Sequence, residues 1–270
     1  MGISIQNSAG MLKTLNSSSS AIQSSMKNIA TGLKINSAAD DASGYQILTR
    51  MNVSAGTLAQ SSQNTQTSNA LLKTADGAIG STVSSLSSLH DQLLKAANGT
   101  NNDADISALQ QQVNQTVSQI SDNAGVTFND KSLLNGSAKV TVAGDNGYNN
   151  VSLPDMSAQA LGLQDSKGNS TLDLSSSKGI ADALSVVDTA LQSSLSQQTK
   201  LGATQEGLDF SASNYTTQAA SVTDAASTTG DSDMAKQITN MKSSQTQQTI
   251  ALHLMTLSNH RNTDVLALLG

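Results

Sequence analysis

Residues 56–97 read GTLAQSSQNTQTSNALLKTADGAIGSTVSSLSSLHDQLLKAA, and the spacing of their apolar residues decides the fold. Steps of seven from Leu58 meet Thr65, Leu72, Ile79, Leu86 and Leu93. A second row, from Ser68, meets Ala75, Thr82, Leu89 and Ala96. Two such rows are the a and d positions of a heptad, the seam along which long helices pack. The spacing predicts a helix from about Gly56 to Ala97, roughly 60 Å long at 1.5 Å per residue. Asn98-Gly99 supplies its stop.

Working outward, Asp103 or Asp105 can cap a second helix whose stripe is Ile106, Leu109, Val113, Val117 and Ile120. The helical period breaks from Asn123 to Gly136. Lys139 to Val142 and Asn149 to Leu153 alternate in polarity around Gly144-Asp145-Asn146-Gly147, which predicts one β-hairpin. Residues 164–178 are rich in Ser, Gly, Asp and Lys and read as a crossing segment with little core of its own. A long helix begins near Gly179. One of its rows runs Ile180, Val187, Ser194, Leu201, Leu208, Tyr215, Val222; the other runs Leu184, Leu191, Gln198, Gln205, Ala212, Ala219, Ala226. Residues 228–232 interrupt it.

Both ends of the chain repeat the pattern. Ile5, Leu12, Ser19, Met26, Leu33 and Ser8, Leu15, Ile22, Ile29 form two rows at the start. Met234, Met241, Gln248, Met255 and Ile238, Gln245, Leu252 form two at the end, followed by Val265, Leu266, Leu268 and Leu269. No neighbouring element in the sequence can cover these stripes, and each Å² left in water forfeits about 25 cal/mol. The ends are expected to pack on each other and on other copies. The expected fold class is mainly α: a long antiparallel coiled-coil bundle made by the amino- and carboxy-terminal halves, with one small β-hairpin region.

Composition narrows the function. Of 270 residues only 13% are charged and 2% aromatic, with no Cys or Trp, and the net charge is −6. Disulfides and thiolate-metal sites are excluded. Two arginines, Arg50 and Arg261, make no basic stripe for nucleic acid. Two Phe and three Tyr are too few for an aromatic-rich sandwich or an α/β enzyme core. No apolar run approaches the roughly 20 residues that span a bilayer. Met1 to Ile5 lacks a basic region and a continuous apolar stretch, so the expectation is a chain that stays in the cytoplasm or leaves without a cleaved signal.

The stretch Gly32-Leu33-Lys34-Ile35-Asn36-Ser37-Ala38-Ala39-Asp40-Asp41-Ala42-Ser43-Gly44 closely resembles the amino-terminal motif of bacterial flagellins. Further stretches resemble the same family in order: 98–101, 127–129, 161–163, Leu201-Gly202-Ala203 with Gln205, 231–235 and 265–269. The resemblance covers essentially the whole chain. It implies a structural protein that leaves the cell unfolded through the flagellar type III export channel and polymerises at the tip of a helical filament. It divides the chain into an inner-core helix and spoke (1–44), a shell portion with the hairpin (45–163) and the short crossing segment (164–178) in place of outer domains. A shell helix (179–229) and a second inner-core helix (230–270) complete it. Implied filament contacts are Leu12, Leu15, Ile22, Met26, Ile29, Leu33, Asn36, Asp40, Asp41, Met241, Leu252, Met255, Val265, Leu266, Leu268 and Leu269. Implied partners are other copies, the export apparatus, a cytoplasmic chaperone on the carboxy-terminal helix, and filament cap and junction proteins. Shell positions facing Toll-like receptor 5 align with Leu89, His90, Leu93, Leu94 and Gln119. His90 and Gln119 stand where receptor-activating flagellins often carry Arg and Glu, so weak activation is expected. The family's Arg before the return to the inner core is absent at 227–230, and the last residue is Gly270.

Other chemistry competes poorly. Asp40-Asp41 could be a paired-carboxylate site, but adjacent residues do not share a helix face, and turn or interface contacts are the simpler reading. His253 and His260 lie seven apart without a third ligand. Residues 144–147 lack the later Glu of a calcium loop. The serine run 17–20 continues the heptad instead of forming a linker. Met residues sit on stripes, where they fill cores. No cofactor is expected, and no enzyme motif is present. Alternatives to a filament subunit are a hook–filament junction protein and a secreted helical adhesin or binding module.

Overall fold

The computed structural model describes the backbone of residues 2–144 and 147–269, and the side chains of 9–141, 150–261, 263 and 264. Helices dominate. They are α1 (Gly2–Thr31), α2 (Ala42–Ala96) and α3 (Asp103–Ala124), then, after two small hairpins, α4 (Ser177–Gly230) and α5 (Met234–Leu269). The hairpins are β1 (Thr127–Phe128) with β2 (Lys131–Ser132), and β3 (Lys139–Gly144) with β4 (Gly147–Ser152). No helix among the described residues is long and apolar enough to cross a membrane. The chain forms two compact units, Thr57–Gln218 and Met1–Gly56 with Ala219–Gly270.

In the unit Thr57–Gln218, the two rows quoted from residues 56–97 form the seam. Leu72, Ala75, Ile79, Thr82, Leu86, Leu89 and Leu93 have no exposed surface, and Leu58, Thr65 and Ala96 are buried with them. α4 runs antiparallel to α2: Ser62 Oγ donates to Ala212 O at 3.2 Å, Asn69 pairs with Asp209, and His90 Nε2 lies 3.5 Å from Asp188. Ile180, Val187, Ser194, Leu201 and Leu208 bury the facing row. α3 closes the core with Val113, Val117 and Ile120.

Polar residues enter this seam at low cost because their hydroxyls bond backwards along their own helices. Thr65 donates to Ser61 O, Thr82 to Ala78 O, Thr116 to Gln112 O and Ser194 to Ala190 O, all at 2.8–3.1 Å. A buried hydroxyl without a partner would be costly. Each of these four has one on its own helix, and Thr116 also accepts from Gln92 Nε2 of α2 at 3.1 Å.

Four expectations are corrected here. α2 starts at Ala42, not Gly56; no proline lies in 42–56, and a helical Gly56 is tolerated at modest cost. The cap of α3 is Asn102, whose side chain accepts from Ala104 and Asp105 N–H while Asp105 accepts from Asn102 N–H. This reciprocal box satisfies backbone donors at the first turn. There are two hairpins, not one. In the missed one, Asn129 and Asp130 both have positive φ, 49° and 60°, the geometry of a tight two-residue hairpin turn. Finally, the crossing segment has a core: Leu172 and Leu174 are buried. Gln110 of α3 holds it, donating to Leu172 O at 2.8 Å and accepting from Leu174 N at 3.0 Å. Asp145 and Asn146, expected at the tip of the second hairpin, lie outside the described residues.

Candidate functional site: an assembly surface

Residues 1–56 and 219–270 make a pair of antiparallel helices, α1 against α5, with a turn at one end. α1 stops at Gly32, whose φ of +74° suits the left-handed stop that glycine makes without strain. The chain then pairs with the segment before α5. Leu33 and Asp231 form an antiparallel bridge, Lys34 N donates to Gly230 O and Ser232 N to Gly32 O, each at 2.8 Å.

The turn between α1 and α2 is organised by two carboxylates. Asp40 Oδ2 accepts from Asn36 N at 3.0 Å, Ser37 N at 2.9 Å, Ser37 Oγ at 3.1 Å and Lys27 Nζ at 3.3 Å. The backbone donor of Asn36, then Ser37 and Lys27, hold its pKa below the ordinary carboxylate value. That shift is opposite to what a general acid needs. Asp41 Oδ1 accepts from Gly44 N at 2.9 Å and so caps the start of α2. A Cβ at Gly44 would fall against the Asp41 carboxylate and 2.7 Å from Ile35 Cδ1, so a larger residue there would push both side chains aside. Asn36 donates to Asn28 Oδ1 and Leu33 O, both at 3.0 Å. Asn36, Asp40 and Asp41 thus spend polar groups inside the chain's own turn.

The seam between α1 and α5 differs from the expected one. One row of each helix is as read from sequence: Leu15, Ile22 and Ile29 on α1, and Met241, Gln248 and Met255 on α5, are half-buried. The second rows are displaced by one position. On α1 it is Met11, Ser18 and Ser25, with both serines buried; of the expected Leu12, Ser19 and Met26, Ser19 is half-buried and the two large residues are exposed. On α5 it is Ser244, Ala251 and Ser258; of the expected Ile238, Gln245 and Leu252, only Gln245 is half-buried and the other two are exposed. Small side chains line the closest approach, and larger apolar ones are turned outward. Leu12 is 50% exposed, Met26 53% and Leu257 57%; Met234, Ile238, Ile250, Leu252 and Leu254 are exposed as well. Gly10, Met11, Thr14, Gln247, Ile250, Ala251 and Leu254 line an open groove of about 360 Å³ between the two helices. Ile250, Leu254 and Leu257 were legible as an i, i+4, i+7 face but were not among the expected contacts. The side chains of Val265, Leu266, Leu268 and Leu269 lie outside the described residues.

The expected receptor-facing set also divides. Leu94 and Gln119 are exposed, and His90 is partly so beside Asp188. Leu89 and Leu93 are fully buried. This corrects their assignment, and the reason lies in the heptad: both occupy seam positions of α2. Among the described residues no group of three His, Cys, Asp or Glu could hold a metal ion, and His253 and His260 are exposed.

The model for the bacterial flagellin N-terminal helical region matches residues 4–139, and that for the C-terminal helical region matches 184–269. The flagellin of Bacillus subtilis strain 168 is 30% identical over 301 aligned positions, covering 98% of this chain and 99% of that one. A solved flagellin from Bacillus cereus, 26% identical, covers 57% of this chain and 88% of its own with a TM-score of 0.50. A chain assigned as a flagellar hook-associated protein from Vibrio parahaemolyticus shares the fold: TM-score 0.57 at 18% identity, over 70% of this chain and 99% of that one. With both helical regions matched in order and one relative aligned end to end, the chain belongs to the bacterial flagellin family.

Proposed function

We propose that the outward apolar side chains of the α1–α5 pair are the surface on which copies of this chain join. As a flagellin it is a structural subunit of the bacterial flagellar filament outside the cell, and not an enzyme. The observation that carries the reading is that Ser18, Ser25 and Ala251 are the buried seam positions while Leu12, Met26, Leu252, Leu254 and Leu257 stay exposed. Burying the rest of one such half-exposed side chain against a neighbour is worth about 1 kcal/mol. Eight of them repeated along a polymer make a strong, non-directional drive to assemble. In this reading Leu12, Met26 and Leu252 touch neighbouring copies, whereas Leu15, Ile22, Ile29, Met241 and Met255 hold the subunit's own pair together.

The remaining partners extend the same reading. The chain leaves the cell unfolded through the flagellar export apparatus, escorted by a cytoplasmic chaperone that covers α5, and adds to the filament beneath a cap. Exposed Ile250, Leu254 and Leu257 support that chaperone contact, because an uncovered apolar face of this kind invites aggregation. Toll-like receptor 5 is engaged weakly, since only His90, Leu94 and Gln119 of the expected set reach solvent. A receptor-reporter assay giving a full response to picomolar monomer would refute that part.

The test of the main reading is seeded growth. Filaments dissociated by mild acid or heat, neutralised and seeded should regrow, as seen by negative-stain microscopy. The second reading is a hook–filament junction protein, and the same experiment separates the two. A junction protein would bind filament ends without elongating them.

A further inference from the structure

The chain contains three Asn-Gly pairs, Asn98-Gly99, Asn135-Gly136 and Asn146-Gly147. At such a pair the glycine nitrogen can reach the asparagine side-chain carbonyl, because no Cβ stands in the way. The fold treats the first two very differently. Asn146 lies outside the described residues.

Asn98-Gly99 sits in the turn between α2 and α3 with both residues exposed. Nothing lies within 4 Å of the position a Gly99 Cβ would take, and its φ is not positive. The Gly99 N–H has no acceptor among the described hydrogen bonds. Asn98 Oδ1 accepts a single long bond, from Thr100 N at 3.3 Å, so little holds the side chain in place. Asn135-Gly136 is locked instead. Asn135 forms an antiparallel bridge with Asp155, and Met156 N donates to the preceding carbonyl, Leu134 O, at 2.9 Å. Asn135 Oδ1 is held by Ser137 N at 3.1 Å and Ser137 Oγ at 2.7 Å. Gly136 is fixed at φ +72°, with Asp155 Cβ only 3.0 Å from where its own Cβ would be.

We propose that Asn98-Gly99 is a site of spontaneous deamidation, and that the fold protects Asn135-Gly136 from the same reaction. The Gly99 nitrogen gives its proton to water or hydroxide and attacks Cγ of Asn98. A C–N bond forms, the Cγ–Nδ2 bond breaks, and ammonia leaves, closing a five-membered succinimide. Water then opens the ring at either carbonyl, giving an aspartyl or an isoaspartyl residue at position 98. No oxidant or reductant is involved. The product carries a new negative charge beside the carboxyl end of α2, the end of a helix that disfavours it. The isoaspartyl form also lengthens the main chain at the turn that Asn101 clamps through its bonds to Lys95 O, Ala96 O and Asn98 O. The outcome is an age mark at one turn of the subunit.

The experiment incubates the purified full chain at neutral and at mildly basic pH. Peptide mass spectrometry reads the exchange of NH2 for OH, and isoaspartyl methyltransferase labelling reads the rearranged form. Conversion at position 98 should rise with pH and exceed that at 135 by about tenfold or more, a barrier difference of about 1.4 kcal/mol. Asn98→Gln should remove the signal. Gly99→Ala, which meets open space and keeps an ordinary φ, should slow it by about tenfold or more. In concentrated urea the two sites should convert at similar rates. Three results would each overturn the proposal: no conversion at 98 in the folded chain, equal conversion at 135, or a rate difference that persists in urea.

Discussion

The two units differ in where their large apolar residues lie. In Thr57–Gln218 the apolar rows face inward, and Leu72, Ile79, Leu86 and Leu93 have no exposure at all. In the unit of Met1–Gly56 and Ala219–Gly270, Ser18, Ser25 and Ala251 are buried between α1 and α5, Leu15, Ile22, Ile29, Met241 and Met255 are half-buried, and eight other large apolar residues of the pair are exposed. Heptad patterning supports both, but only the first unit satisfies itself. The second holds its helices by a thin seam and a well-made turn, and leaves exposed the apolar side chains proposed above to join copies.

The sharpest way to break this contrast is to remove one half of the outward-facing pair. Deleting residues 234–270 should abolish seeded filament growth completely while leaving the thermal transition of Thr57–Gln218 in place by circular dichroism. A truncated chain that still elongates filaments would refute the assignment of α5 to assembly. Next in size, Leu93→Ala in the self-sufficient unit should lower stability by about 2–5 kcal/mol in urea unfolding, as expected for a fully buried leucine. A loss under about 0.5 kcal/mol would mean that Leu93 faces solvent after all.

A third change reverses the logic. Leu12→Gln, Met26→Gln and Leu257→Gln together should leave monomer stability within about 0.5 kcal/mol, because surface changes rarely do more. The critical concentration for polymerisation should nevertheless rise by about tenfold or more, the equivalent of about 1.4 kcal/mol per subunit. Equal losses in both measurements would erase the distinction between the units. Asn102→Ala should cost about 1 kcal/mol through loss of the α3 cap, read by the same urea titration.

The smallest effect concerns the turn. Asp40 has a folded pKa below the ordinary carboxylate value, so its carboxylate stabilises the turn above that ordinary value. The contribution fades as pH falls through the lower folded pKa. Amide exchange at Asn36 and Ser37 should accelerate on acidification below about pH 3.8. The Asp40→Asn variant should show no such pH step.

How legible the molecule was follows from the same contrast. The rows from Leu58 to Leu93 could be read directly, since each apolar residue there has a single surface to cover. On α1 and α5 the rule that large apolar residues face the nearest partner chose Leu12 and Met26, where the structure places Ser18 and Ser25 inside. A helix with two partners has two stripes, and spacing alone does not say which belongs to which. Short elements escaped for a different reason. β1 and β2 are two residues each, too short for any alternation, although Asn129-Asp130 carried the turn signal. Leu172 and Leu174 alternate with Thr171 and Asp173, a half-buried pattern hidden in a polar stretch. Asp40 and Asp41 were recognisable as a pair, but their division of labour needed the backbone donors of 36, 37 and 44 to be seen in place.

The hydroxyls of Thr65, Thr82, Thr116 and Ser194 turn back onto their own helices. Such a residue changes character as the chain winds. Stretched out in water it is hydrated and keeps the polymer soluble, adding little to its tendency to clump. Once coiled it conceals its polarity and presents mostly a methyl or methylene edge. A sequence rich in these residues can remain free of aggregates before it coils and still form a dry contact afterwards.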